Sequence, residues 1–278
     1  MASPTAVESL AMTHKHFLHR ADSGSTLRLF PAGGATESAD WLALSHAART
    51  HADGNVYLAA HGAIELHGVH SPEDAADALD DAPLLSAPTP ILASPLSTHA
   101  RQLARTLASQ WSAAESALPF RIGIDAGDGD ILAQHPDIAL LLGDTGAQLH
   151  IHGQAQSADL SDDAAVEALR EAIDEESEKT DSDNAEEAAN GESAAVQNPP
   201  IGWLADHLPA GRVDLGAGLH CGILPADFAE LIGRLEVDIT VTPWQGVIFH
   251  DIADGDADVV LRVLAPRGFI FDVNSPLL

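Results

Sequence analysis

The chain has 278 residues, of which 45% are hydrophobic, and its formal net charge is -29. This length suffices for one large globular domain or two ordinary ones. Such acidity repels nucleic acid phosphates and anionic membrane surfaces, so neither is an expected partner. No run of 18 apolar residues is present and residues 1–10 lack the features of a signal peptide, so we expect a cytoplasmic protein.

The first predicted unit extends from Thr26 to Val69 and reads strand, helix, strand, turn, strand. Alternation of apolar residues marks its strands, and apolar spacings of three and four mark its helix. A second helix is predicted from Ser71, which can cap a first turn that contains Pro72. The elements of the unit are predicted at residues 26–30, 40–50, 54–58 and 62–69.

A middle segment follows, in which a strand ends at Asp125 and leads into a run rich in aspartate and glycine. The run Asp125 to Asp130 is similar to a calcium loop, but Pro136 stands where such a loop needs glutamate. We therefore expect a hairpin turn here. No spacing typical of metal ligands is present, and no metal site is predicted.

Acidic residues are concentrated after the middle segment. Fourteen of the 42 lie between Asp159 and Glu192, where only Arg170 and Lys179 oppose them. A stretch with few apolar residues and high charge cannot offset its ordering entropy, so a disordered linker is predicted. Its first part, Asp162 to Ile173, can still form a short helix capped at Ser161.

The second predicted unit, Arg212 to Ile248, repeats the order of the first and continues into a helix that ends before Pro266. Two such copies predict a pseudo-twofold molecule with a ligand or partner site where the halves meet. A chance similarity between two ordinary strand-helix-strand units is the alternative.

Cys221 is the single cysteine. It excludes an intramolecular disulfide, and four-cysteine ligation of an iron-sulfur cluster cannot be supplied by this chain. The residue precedes a predicted helix, whose N-terminus would lower a thiol pKa. A small residue in a turn is the favoured interpretation.

These segments resemble the ferredoxin-like half-domains of the nitrite/sulfite reductase family, and within it precorrin-3B synthase most closely. Residues 54–69 are similar to the first-half motif, and residues 120–153 to the middle segment. The second-half motif is retained at Thr242, Pro243, Trp244 and Gly246.

The resemblance implies an α+β fold of duplicated ferredoxin-like half-domains, residues 20–90 and 200–278. It implies a truncated, rudimentary middle segment at residues 91–158, and an acidic disordered linker at residues 159–199 connects that segment to the second half. It also implies oxidoreductase chemistry in cobalamin or siroheme metabolism, with siroheme, an iron-sulfur cluster, or both as cofactors. The cysteine-bearing half that follows in the family has no counterpart here, so no intact cofactor site is expected.

Arginines that face the anionic tetrapyrrole in the family are replaced in this chain. The corresponding positions hold His61, His67, Thr240 and Gln245. Each lost charge-assisted contact forfeits about 1.5 to 3 kcal/mol of binding energy. Whether the chain is catalytic stays open, and no catalytic residue is predicted.

Three hypotheses follow. The chain is an oxidoreductase or part of one, a non-catalytic module that binds a tetrapyrrole, or an interaction subunit. In the last case it pairs with itself or with a separate cysteine-bearing subunit.

Overall fold

A computed structural model describes residues 17–21, 24–80, 82–84, 86–110, 118, 120–157, 159–179 and 199–278. Its strands are β1 (Phe17–Ala21), β2 (Gly24–Leu29), β3 (Ala35–Thr36), β4 (Asn55–Leu58), β5 (Ile64–Val69), β6 (Ile91–Ala93), β7 (Ile122–Asp125), β8 (Ile138–Leu142), β9 (Ala147–Ile151), β10 (Gln154–Ala155), β11 (Gly202–Leu204), β12 (Arg212–Leu219), β13 (Ile223–Pro225), β14 (Ile239–Val241), β15 (Gly246–Ala253) and β16 (Phe269–Ile270). Its α-helices are α1 (Ser38–His51), α2 (Pro72–Asp80), α3 (Thr98–Ser109), α4 (Asp162–Lys179), α5 (Ala226–Gly233) and α6 (Asp254–Leu264). None of these helices combines the length and apolar character that crossing a bilayer requires.

The strands form three sheets. The first sheet has the order β1-β2-β5-β4-β13 and the second β11-β12-β15-β14-β3, with β16 also paired to β12; all these pairings are antiparallel. The middle sheet has the order β10-β9-β8-β7-β6, in which β6, β7 and β8 run parallel. Separate sheets with helices between and beside them make this an α+β fold.

The first and second sheets exchange a short strand. Each long strand, β2 or β12, runs into a 3-10 turn and then into a short strand that joins the opposite sheet. Ala35 of β3 lies opposite Thr240 of β14, and Ile223 of β13 lies opposite Tyr57 of β4. The order β2, β3, α1, β4, β5, α2 is thus matched by β12, β13, α5, β14, β15, α6, which is compatible with the predicted duplication.

One hydrophobic core serves both halves. Helix α1 buries its apolar positions against α5, and the inner faces of the first and second sheets contribute to the same cluster. The Ser45 hydroxyl donates a hydrogen bond of 2.8 Å to the Ala226 carbonyl oxygen at the start of α5. The residues that α1 buries by this helical spacing include Trp41, Leu44, Ala47 and Ala48.

The middle sheet has its own core, which α3 and α4 cover. The helix expected from Asp162 to Ile173 is present as α4 and ends at Lys179. The predicted acidic linker, residues 159–199, therefore begins with an ordered helix, because α4 carries enough apolar residues on one face to pack on the sheet. Residues 180–198 of that linker lie outside the described residues. The apolar face of α4 contains Ala165, Val166, Leu169, Ala172 and Ile173.

The hairpin expected at Asp125 is wrong, because β7 and β8 pair in parallel. The aspartate-glycine run instead wraps around the buried Asp125 carboxylate, which accepts four backbone N–H groups at 2.8 to 3.0 Å. The short-range signal for a turn was present, but it did not indicate the direction of the next strand. The four donors are Gly127, Gly129, Ile131 and Leu132.

Candidate functional site

Two hairpin turns meet at the junction of the halves. One connects β4 to β5 and the other connects β14 to β15, and Ala60 of the first forms a bridge with Trp244 of the second. His61 and Gln245 have left-handed backbone conformations, with φ of 60° and 59°. His61 is buried and Gln245 is exposed. Two of the four predicted positions are thus brought to one place.

A guanidinium from the middle segment lies against His61. Arg121, just before β7, has its Nη1 atom 3.4 Å from His61 Nε2 and donates to the carbonyl oxygens of Gln134 and His135 at 3.3 Å. Its Nε atom is buried and has no hydrogen-bond partner among the described residues. The sequence analysis did not single out Arg121 for function, because its proximity to His61 depends on how the middle segment docks.

His67 lies on the outer face of the first sheet and is held by its neighbours. Its ring stacks on Tyr57, with centroids 3.9 Å apart and planes 12° apart. Its Nε2 atom is 2.6 Å from Glu65 Oε2, and Arg28 Nε donates to Glu65 Oε1 at 2.6 Å. Burial alone would raise the pKa of Glu65, but His67 and Arg28 outweigh it, so the pKa is lowered.

Thr240 lies at the end of a buried polar chain in the second sheet. The Thr240 Oγ1 atom is 2.8 Å from His250 Nε2, and His250 Nδ1 is 2.9 Å from Asp214 Oδ2. Asp214 also accepts the backbone N–H of Asp251 at 2.7 Å and lies 2.9 Å from His207 Nε2. Thr240, His250 and Asp214 are all buried.

The protonation states of Asp214 and His250 follow from the groups around each side chain. Burial opposes ionisation of Asp214, but the hydrogen bonds from His250, from the Asp251 N–H and from His207 outweigh it and lower its pKa to about 2. Burial lowers the pKa of His250, although its hydrogen bond to Asp214 acts in the opposite direction. Because its pKa is lowered, His250 is neutral near pH 7. The ionised Asp214 carboxylate can only accept, so His250 donates from Nδ1, and its Nε2 accepts from the Thr240 hydroxyl.

His67 and His250 occupy the same register position in the two halves. Ile64 lies opposite Leu29 and Leu58 in the first sheet, as Val247 lies opposite Ala217 and Val241 in the second. Each histidine comes three residues later, and each is bonded to a carboxylate. The match is one of structure and could not be read from the short sequence motifs alone.

A pocket of about 280 Å³ lies between α3 and the second sheet. We call it the α3 pocket. On the α3 side, the Arg105 Nη2 atom lies 3.5 Å from Glu37 Oε1. The residues that line the α3 pocket include Thr98, Arg101, Gln102 and Arg105 from α3, with Thr240 and His250 from the sheet.

The structure resembles that of the NirA protein of Mycobacterium tuberculosis, which belongs to the nitrite/sulfite reductase family. The TM-score is 0.67 at 16% sequence identity, over 89% of this chain and 57% of the NirA chain. The fold is of the nitrite/sulfite reductase type. The predicted α+β fold class is thereby confirmed, and the predicted duplication is compatible with it. No family profile and no curated protein sequence matches the chain.

The comparison shows the shared fold and leaves the finer predictions as they were. Closeness to precorrin-3B synthase and the domain boundaries stay predictions. So does the role of the four macrocycle-contacting positions, which are His61, His67, Thr240 and Gln245. The chain spans little more than half the length of NirA. An iron-sulfur cluster with four thiolate ligands does not fit a chain whose one cysteine, Cys221, is exposed in a 3-10 turn.

Proposed function

We propose that this chain is a non-catalytic member of the nitrite/sulfite reductase family that binds an anionic tetrapyrrole in siroheme or cobalamin metabolism. The likeness of its fold to NirA supports the family, and the resemblance of its hairpin motifs to precorrin-3B synthase supports the ligand class. The proposal that the chain is non-catalytic is supported by the number of thiolate ligands that it can supply to an iron-sulfur cluster. One cysteine cannot hold the cluster, so the chain would bind a macrocycle without delivering electrons to a substrate.

At the positions where the family has arginine, the side chains of this protein would bind an anionic ligand more weakly. His67 is engaged by Glu65 and Tyr57, and Thr240 by His250. Neither side chain can replace a guanidinium that forms two parallel hydrogen bonds with a carboxylate. Binding of an anionic macrocycle would therefore depend on a cationic side chain at another position of the protein.

Arg121 is the residue that supplies this cation. Its guanidinium lies beside His61, next to the turn that carries Gln245, and no carboxylate of a described residue lies within 4.0 Å of it. A macrocycle carboxylate at this junction would neutralise a partly buried charge. The α3 pocket is too small for the whole macrocycle, since pockets for drug-sized ligands span roughly 300 to 1,000 Å³. The junction of the two turns is therefore the proposed macrocycle site.

A titration with uroporphyrin III, a macrocycle with eight carboxylates, tests this site through its absorbance and fluorescence. We expect saturable binding that weakens about tenfold in Arg121→Gln. Gln245→Arg, which restores the residue type of the family motif at an exposed position, should strengthen binding by a similar factor. Arg262→Gln, on the exposed face of α6, is the control and should bind as the wild type does.

Two results would contradict the proposal. One is the absence of binding in both the wild type and Gln245→Arg. The other is reduction of nitrite or sulfite by the purified protein with reduced methyl viologen as electron donor, which would make it an oxidoreductase.

An interaction subunit is the second candidate. NirA extends well beyond the part that this chain matches, and apolar side chains are exposed here, including Trp203 on the edge strand β11 and Ile223 on β13. A partner chain or a second copy would cover them. Light scattering that shows a monomer, together with unchanged Trp203 fluorescence between micromolar and hundred-micromolar protein, would exclude self-association.

A further inference from the structure

The α3 pocket contains a guanidinium, that of Arg101, which has no carboxylate partner in the part of the chain that the structure describes. Arg101 is half-buried and donates to the Pro95 carbonyl oxygen and, at 3.4 Å, to Thr98 Oγ1. No described carboxylate lies within 4.0 Å of it. Charges removed from water are normally paired, because desolvation of an isolated ion is costly. Asp214 and Asp238 act on the Arg101 charge from beyond 4.0 Å, so the guanidinium has no carboxylate in contact with it among the described residues.

The other charged groups that face the pocket are already engaged or hydrated. Arg105 is paired with Glu37, and Asp238, before β14, is exposed to solvent. Asp214 is covered by His250, His207 and the Asp251 N–H, so its charge is shared among three donors. Arg101 is therefore the cation in the lining that a ligand would meet.

The Thr240 hydroxyl, on the second sheet, lines the same pocket and is bonded to His250. We propose that the α3 pocket binds a small oxyanion, a carboxylate, phosphate or sulfate group, between the Arg101 guanidinium and the Thr240 hydroxyl, and that His250 takes up a proton when the anion binds. This site is separate from the junction of the hairpin turns, and it does not depend on tetrapyrrole binding.

Proton uptake follows from the number of hydrogens that Thr240, His250 and Asp214 share in their hydrogen bonds. Before an anion binds, the one hydroxyl hydrogen of Thr240 points at His250 Nε2, so Thr240 has no hydrogen to donate to an anion. When Nε2 takes a proton from solvent, it donates to Thr240 Oγ1, and the hydroxyl hydrogen turns to the ligand. Asp214, 2.9 Å from His250 Nδ1, then stabilises the imidazolium.

The electrostatics of the pocket act in the same direction. The charge of Arg101 contributes to lowering the pKa of His250, after the effect of burial, while Asp214 and Asp238 raise it. An anion on Arg101 cancels the repulsion between the guanidinium and the imidazolium. The first turn of α3, with Thr98 at its start, adds a weaker favourable dipole.

Sulfate is the probe of choice, because it does not titrate between pH 5.5 and 8.5. Binding is measured by calorimetry at constant ionic strength in chloride, in two buffers of different ionisation enthalpy. We expect uptake of close to one proton per sulfate at pH 7.5, and an affinity that falls about tenfold per pH unit above neutrality. Phosphate and propionate, measured in parallel, show whether a phosphate or a carboxylate group is preferred.

Variants separate the proposal from simple ion binding at the surface. Arg101→Gln and Thr240→Val should each weaken sulfate binding at least tenfold, whereas Thr240→Ser, which keeps the hydroxyl, and Arg262→Gln should retain it. Circular dichroism and thermal unfolding establish that each variant is folded. Binding without proton uptake, binding that survives Arg101→Gln in a folded protein, or no binding of any of the three anions to the wild type would overturn the proposal.

Discussion

Gly34 and Gly222 hold the same position in the two halves, each pressed against a carbonyl oxygen of the opposite half. A Cβ added to Gly34 would overlap the carbonyl oxygen of Val241, and one added to Gly222 would overlap that of Leu58. Both glycines also have a left-handed backbone, with φ of 70° and 65°. The close approach lets β3 and β13 cross into the other sheet, so these two glycines make the exchange of strands possible.

Replacing either glycine by alanine should destabilise the protein severely. The overlap cannot be relieved by rotating a side chain, because the obstacle is backbone, and the left-handed conformation adds strain of order 1 kcal/mol or more. We expect Gly34→Ala and Gly222→Ala each to lower the free energy of unfolding in urea by about 3 kcal/mol. Gly255→Ala, where an added Cβ meets nothing within 4 Å, is the control and should change it little. Equal stability of the three variants would show that the close approach is not needed.

The exchange of strands could not be predicted from the sequence, although much else could. The helix expected at residues 40–50 is α1, and the strand expected at residues 26–30 is β2, which begins two residues earlier and ends one residue earlier. Such elements carry a periodic apolar signal that local sequence expresses. By contrast, β3 has only two residues, Ala35 and Thr36, which is too few for any period.

The candidate site was predicted only in part for a related reason. His61 and Gln245 follow from the hairpin motifs, but Arg101 and Arg121 come from the middle segment, and their positions depend on how that segment docks. The Thr240–His250–Asp214 chain joins three strands and requires their register. Sequence motifs indicate which residues are present, whereas contacts between distant segments arise from packing.

Thr36 connects the two halves through its hydroxyl. It accepts a hydrogen bond of 2.9 Å from Trp41 Nε1 and donates one of 2.8 Å to the Ile239 carbonyl oxygen, and it is buried. Thr36→Val would leave the buried indole N–H without its acceptor. We expect a loss of about 1 to 3 kcal/mol in the free energy of unfolding.

Thr36→Ser is the matched control for this prediction. It keeps the hydroxyl and removes one methyl group, so its loss in a urea titration should be smaller than that of the valine variant. If the serine variant is the less stable of the two, packing of the methyl group matters more than the hydrogen bonds.

Asp40 should make the protein more stable in acid than its other acidic residues would suggest. Burial raises the pKa of this carboxyl from 3.8 to about 6. The folded state thus binds the proton more tightly than the unfolded state, so the contribution is favourable below pH 4 and is lost as pH rises through about 6. At pH 8, ionising the buried carboxyl costs on the order of 2 to 3 kcal/mol.

Asp40→Asn tests this dependence. The amide oxygen can still accept the Glu37 backbone N–H, which lies 2.7 Å from the carboxylate. We expect the variant to gain stability over the wild type at pH 8 and to lose that advantage at pH 4, measured by urea unfolding at each pH. Asp144→Asn, in the exposed turn between β8 and β9, should show no such crossover. An advantage that is constant with pH would mean that Asp40 does not titrate in this range.

Asp214 should have the opposite effect on the pH dependence. Its pKa falls from 3.8 to about 2 in the folded protein, so its contribution is present above pH 4 and is lost as pH falls toward 2. Asp214→Asn removes the charge that orients His250, and its amide group cannot accept from every donor that surrounds it. We expect a loss of about 2 to 4 kcal/mol at pH 7 that shrinks toward pH 2.

The same variant tests the tautomer assigned to His250. In the wild type, proton NMR should show a downfield imidazole Nδ1–H signal, protected from exchange because the donor is buried beside Asp214. That signal should vanish in Asp214→Asn and persist in Asp251→Asn, whose exposed side chain is not bonded to the ring. If the signal persists when Asp214 is replaced, the carboxylate does not fix the ring, and the hydroxyl of Thr240 is not directed toward Nε2 by this chain of hydrogen bonds.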